Sequence, residues 1–164
     1  MRIGQGFDAH RFASADAAEA VVRPLWLAGI EWPGEGSGIE GDSDGDVAAH
    51  ALIDALLSAS GLGDIGSLFG VGSNAHGAGM HGVAMLRETV AYLQSHGFTP
   101  SSASVAIIGN RPKIGRHRAE AVRALSEAVG CPVSVTATTT DRMGFTGRGE
   151  GIAAIASALV EECE

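Results

Sequence analysis

The sequence predicts a β-sheet with helices packed against it, and three observations carry that prediction. Val47 to Ser58 is rich in strong helix formers and apolar nearly all round, the pattern of a buried helix. Two further helical stretches, Val83 to Ser95 and Ala119 to Val129, each run into a β-rich segment, Ala103 to Ile108 and Val133 to Thr138. Gly clusters over 34–38, 61–66, 70–82 and 144–151 separate the apolar runs and read as loops. Helices alternating with strands place one layer on the other.

In chain order, Ile3 to Phe7 alternates Gly with larger residues and reads as a first strand. Arg11 to Ala20 reads as loop, and Pro24 to Trp32 as a second strand. Asp46 stands where the N-cap of the 47–58 helix belongs, because its short carboxylate can accept from the free N–H groups of the first turn. Gly61 follows as a C-terminal stop. His96-Gly97 closes the second helix and Gly130 the third. Ile152 to Val160 is ambiguous, its Ala content favouring helix and its place after a Gly-rich turn suiting a strand. The length of 164 residues predicts one domain over 1–164, and no repeat or low-complexity linker divides it.

Composition excludes several classes of function. With 45% hydrophobic and 18% charged residues the chain is globular, not disordered. A formal net charge of −8 argues against nucleic acid as a partner, because such binding rests on Lys and Arg at phosphates. A small phosphorylated substrate stays compatible, since bound metals can supply positive charge locally. Cys131 and Cys163 form no CxxC pair, which fits a reducing, cytoplasmic setting. No apolar run reaches the ~18 residues of a membrane span, and residues 1–6 lack the pattern of a signal peptide.

Asp8 and His10 lie two apart on the first strand or just past it, so on a continued strand both side chains can point to one face. A carboxylate and an imidazole side by side are zinc ligands. Alone the pair is a weak signal. Ser43-Asp44-Gly45-Asp46 leads into the helix carrying His50, one turn beyond Asp46, so that the Asp46 carboxylate can orient the imidazole from behind. His50 reads equally as a core histidine, but Asp8 and His10 need one more ligand, and two His with one carboxylate make a catalytic zinc set. Thr138-Thr139-Thr140-Asp141 ends a strand with hydroxyls and a carboxylate suited to phosphate and a hard cation, or is simply a β-branched strand end. Asn110-Arg111-Pro112-Lys113 is a turn flanked by two cations, and residues 145–151 are a Gly-rich turn whose spacing is not that of a P-loop.

Taken together, Gly6-Phe7-Asp8-Ala9-His10, Ser43-Asp44-Gly45-Asp46 with His50, Leu62-Gly63-Asp64-Ile65-Gly66, Ala137-Thr138-Thr139-Thr140 and Gly144 through Gly151 resemble the 2-C-methyl-D-erythritol 2,4-cyclodiphosphate synthase family. The motifs span nearly the whole chain in order. The resemblance implies an α+β, two-layer domain, a mixed four-stranded sheet with helices on one face, trimerising through the sheets. It implies a metal-dependent phosphorus–oxygen lyase of the non-mevalonate isoprenoid pathway. Its substrate would be 4-diphosphocytidyl-2-C-methyl-D-erythritol 2-phosphate, closed to a cyclic diphosphate with release of CMP. Active sites would lie between neighbouring subunits.

The resemblance also implies roles. Asp8, His10 and His50 would hold zinc, and Asp141 magnesium or manganese, with Thr139 stabilising the transferring phosphoryl group. Ser43 and Phe69 would join the substrate contacts, and Asp64 and Gly66 would meet the ribose. Gly109, Pro112, Lys113 and Ile114 would line the cytosine pocket, and Thr138 would touch phosphate. Phe145 and Arg148 would line a cavity on the threefold axis that can hold an isoprenoid diphosphate. Three positions depart from the family. Asp42 stands where the family places a catalytic His, and a carboxylate beside phosphates repels them unless protonated or metal-bound. Gly70-Val71-Gly72-Ser73 replaces an acidic Pro-Asp-Thr-Asp loop that meets the methylerythritol hydroxyls. Asp141 is often Glu. Two other readings fit the residues: a zinc phosphohydrolase with Asp42 as base, and a non-catalytic protein binding isoprenoid diphosphates or cytidine nucleotides.

Overall fold

The computed structural model describes residues 1–14 and 23–163, so the end of the expected 11–20 loop lies outside the described residues. A mixed four-stranded sheet is built from β1 (Arg2–Arg11), β4 (Phe98–Ile108), β5 (Val133–Thr138) and β6 (Gly151–Glu162), in the order β1-β6-β4-β5. β6 runs antiparallel to both β1 and β4, and β5 runs parallel to β4. A small hairpin, β2 (Trp26–Leu27) and β3 (Ile30–Glu31), stands apart from it. Three longer helices, α1 (Val47–Ser60), α3 (Gly82–Ser95) and α4 (Arg118–Val129), pack with the sheet around one core. Short helices α2 (Ile65–Phe69) and α5 (Gly144–Gly147) follow loops. The architecture is α+β.

Alternate residues decide which face of the sheet is covered. Val105 and Ile107 of β4, Val133 and Val135 of β5, and Ile152, Ala154, Ala156, Ala158 and Val160 of β6 are buried. Ile3 and Phe7 of β1 and Ile155 of β6 are exposed on the other side. The ambiguous segment is therefore a strand. β6 is flanked by β1 and β4, and its alanines are small enough to take α1 across them. β1 admits α1 just as closely, because Gly4 and Gly6 have no Cβ. A methyl at Gly6 would collide with the carbonyl of Ala51, and one at Gly4 with that of Ala55.

Other boundaries moved for identifiable reasons. The expected 24–32 strand is a hairpin, because Ala28 and Gly29 both take left-handed backbone and reverse the chain. β4 starts at Phe98 and passes Pro100 by shifting register between Pro100 and Ser102, the irregularity that a residue without an N–H requires. α1 is capped as the sequence predicts, by Asp46 at its start and by Gly61 in left-handed backbone at its end. Gly130 ends α4 in the same way.

Candidate metal centre and substrate pocket

β1 brings Asp8 and His10 to the end of the sheet on one side of the strand, and the first turn of α1 lowers His50 onto them. The nitrogens of both histidines approach a single carboxylate oxygen. Asp8 Oδ2 lies 3.0 Å from His50 Nδ1 and 3.2 Å from His10 Nε2. One ligand atom from each residue falls within 4.8 Å of the others. Tetrahedral zinc about 2.0–2.2 Å from each ligand asks for ligand atoms roughly 3.3 Å apart, so the donor set fits the ion in chemistry and spacing. Among the described residues, no other group of three His, Cys, Asp or Glu meets this condition.

Electrostatics prepare the three groups. Burial pushes the Asp8 carboxyl up, but the hydrogen bonds and charges of His10 and His50 outweigh it and bring its pKa down to about 2. Burial pushes His50 down, and the bond and charge of Asp8, helped by Asp46 and Asp44, raise it above the usual value.

The expected partner of His50 is corrected by the structure. Asp46 does not reach the ring. It is fully buried, and its carboxylate accepts from Ala48 and Ala49 of α1 at 3.1 Å each, and from Ala28 and Gly29 of the hairpin at 2.8 and 2.7 Å. Three of those N–H groups converge on Oδ1 and one on Oδ2. Burial and neighbouring Asp44 still hold its pKa above the ordinary range. Ser43 takes the position behind the ring, its Oγ 3.0 Å from His50 Nε2. A metal ion on Nδ1 would leave Nε2–H to donate to that hydroxyl, which would set the tautomer.

The three ligands open onto a pocket whose wall also includes Asp42, Ser43, Gly66, Phe69 and the 70–78 loop. Phe69 is buried against it. Asp64 caps α2, accepting from Ser67 N at 2.7 Å and donating its own N–H to Ser67 Oγ at 2.9 Å. A group that sequence reading missed is Asp54, one turn beyond His50 on α1. It accepts from Ile65 N at 2.8 Å and so ties α2, with its pocket residue Gly66, to α1. Its spacing of four from His50 was the available signal.

The remaining candidates gather elsewhere. Gly109, Pro112, Lys113, Ile114, Thr138 and Thr139 line a second groove that shares no residue with the first. Ile108 pairs with both Thr138 and Ala153, and His10 with Ile152, so both sites lie at one end of the sheet. Three strand spacings of about 4.8 Å put β1 roughly 14 Å from β5. Asp141 is exposed beyond β5, with Thr139 Oγ1 donating to its Oδ1 at 3.4 Å, and it stands outside the three-ligand cluster. Arg111, read from the sequence as a loop cation, instead bonds Ser37 O at 3.0 Å and lies 3.6 Å over the Phe12 ring, holding the 35–37 loop to the groove. Phe145 lines a third recess beside Arg11 and Glu150, and Arg148 Nε donates to Glu150 at 2.7 Å.

Comparison with known proteins gives this geometry a family. Residues 1–161 match the model of the YgbB family. The 2-C-methyl-D-erythritol 2,4-cyclodiphosphate synthase of Bifidobacterium longum (strain NCC 2705) is 72% identical over 98% of this chain and 95% of its own. The bifunctional IspDF of Campylobacter jejuni superposes with a TM-score of 0.87 at 30% identity, over 99% of this chain and 42% of that one. A solved 2C-methyl-D-erythritol-2,4-cyclodiphosphate synthase with CDP bound superposes with a TM-score of 0.81 at 35% identity, over 98% and 100%. The chain belongs to the YgbB family, the family of the 2-C-methyl-D-erythritol 2,4-cyclodiphosphate synthases.

Proposed function

We propose that this protein closes 4-diphosphocytidyl-2-C-methyl-D-erythritol 2-phosphate to 2-C-methyl-D-erythritol 2,4-cyclodiphosphate and releases CMP, as a step of non-mevalonate isoprenoid synthesis. The observation that carries this is the Asp8–His10–His50 cluster opening onto a pocket, in a chain of this family. The CDP held by a solved relative supports a cytidine nucleotide as the leaving portion.

In the reaction an oxygen of the 2-phosphate bonds to the β-phosphorus, the bond from that phosphorus to the CMP oxygen breaks, and no water enters. A phosphate oxygen is already a nucleophile, so no side chain need be one. Asp8, His10 and His50 would hold zinc, which would supply Lewis acidity toward phosphate oxygens, and Asp141 would hold magnesium or manganese, which would add positive charge for the phosphates. Ser43 keeps His50 in the ligating tautomer. Thr139 donates its hydroxyl to the transferring phosphoryl group, and Thr138 holds a neighbouring phosphate. Lys113, Pro112, Gly109 and Ile114 seat the cytosine, while Asp64 and Gly66 meet the ribose.

The pocket and the groove on one chain lie too far apart to share one phosphate pair. A homotrimer joined through the open sheet faces sets the pocket of one subunit against the groove of the next. Phe145 and Arg148 then face the threefold axis, where an isoprenoid diphosphate fits. Residues 1–164 work as one domain, in the cytoplasm. No helix among the described residues is long and apolar enough to cross a membrane.

The test is phosphorus NMR of the purified protein with the cytidyl diphosphate substrate, zinc and magnesium in labelled water. CMP and an unlabelled cyclic diphosphate should appear, and chelation of the metals should stop both. Label in the product would replace cyclisation with hydrolysis.

A further inference from the structure

Asp42 joins the turn before α1 to the loop that walls the pocket. Its Oδ2 accepts from Gly72 N at 2.8 Å, and its backbone carbonyl accepts from Gly79 N at 2.8 Å. One residue thus holds both sides of the 72–79 segment. Within the segment, short turns link Ala75 to Gly72 and Ala78 to Ala75. His76 is stacked on Phe69 and bonded to Glu88 of α3 at 2.7 Å, which fixes the far side.

The near side has no comparable packing. Val71 is 86% exposed, and Gly70 and Gly72 both take left-handed backbone. Glycine loses more conformational freedom on ordering than any other residue, so this stretch needs a tether to hold one shape. The carboxylate of Asp42 supplies it. Gly70, Val71, Ala75 and Ala78 line the pocket, so the tether sets the shape of an apolar wall facing the three ligands. The Gly72 N–H also takes up part of a negative charge that would otherwise face an anionic ligand.

We propose that Asp42 is a positioning residue. It latches the 70–79 loop as a preformed wall, and through that wall sets the fit of the substrate's carbon skeleton beside the metal centre. The skeleton part rests on the cyclodiphosphate synthase reading; the latch itself does not.

Two variants separate the possibilities. Asp42 is exposed, so neither should disturb folding. Asp42→Asn keeps an oxygen for the Gly72 N–H, and Asp42→Ala removes it. Amide exchange over residues 70–79, followed in the zinc-loaded protein without substrate, should speed up about fivefold to tenfold in Asp42→Ala and stay near the parent rate in Asp42→Asn. In turnover, Asp42→Ala should raise KM more than it lowers kcat, and Asp42→Asn should recover most of the loss. Unchanged exchange in Asp42→Ala would overturn the latch. Equal loss of kcat in both variants would also overturn it, because the charge and not the bond would then be the working part. If the parent protein shows no turnover, the functional reading fails while the exchange result still decides the latch.

Discussion

A single oxygen of Asp8 serves two imidazoles, and that arrangement makes the ligand set sensitive to protons. Zinc takes a neutral imidazole, so a proton on His50 competes with the ion. Asp8 raises the pKa of His50 above 6.5, so the competition starts on the alkaline side of that value. Asp8 itself, at about 2, stays ionised throughout. Zinc affinity should therefore fall as pH drops through the raised pKa of His50, approaching roughly tenfold per unit once His50 is mostly protonated in the metal-free protein. Competition with a chromophoric chelator at several pH values measures it, and a flat profile would contradict the assignment of His50. The grouping of the three residues was legible because period two puts Asp8 and His10 on one face and such a pair needs one more ligand, which His50 can supply. The Ser43 contact was not. Several polar neighbours crowd residues 42–46, and only the folded turn decides which one meets Nε2.

At the scale of elements, the candidate metal centre depends on how closely α1 lies on β1. Gly6 permits that approach, since a Cβ there would meet the backbone of Ala51 and Ala55, which cannot move aside as a flexible side chain would. Gly6→Ala should destabilise the fold by about 1–3 kcal/mol or more. It should also lower zinc affinity by shifting His50 from Asp8. Urea denaturation of the metal-free protein and the chelator titration test the two effects separately. The glycines of β1 were visible in the sequence as an alternation, but their reason was not, because it lies in a helix some 45 residues away. The same limit made β6 ambiguous. Its alanines are helix formers in isolation, and the neighbours β1 and β4 that make them a strand are distant in the chain. α1 was legible nearly to the residue because its caps are local.

At the scale of the whole molecule, the uncovered sheet face is the feature that calls for a partner. Phe7 and Ile155 sit directly opposite each other on β1 and β6, and Ile3 is 74% exposed on the same strand as Phe7. Large apolar side chains grouped on one face mark an interaction surface. If three subunits close through it, Phe7→Glu should buries a charge without a partner and should shift the protein to monomers in sedimentation velocity. CMP release should fall with the trimer, while zinc binding, which one chain supplies, should persist. A Phe7→Glu protein that remained trimeric would place the interface elsewhere.

The four N–H groups gathered on Asp46 bear on how the sequence can drift. They come from two segments, 28–29 and 48–49, on either side of Asp46 in the chain, and one of the donors, Ala28, is itself in left-handed backbone. An acceptor with one carbon more would not fit the same four donors in a fully enclosed space, and one without charge would hold them less strongly. A change of side chain at 28 or 29 that keeps the turn and is not to proline leaves those two N–H donors in place, whereas loss of the carboxylate at 46 strands all four donors at once.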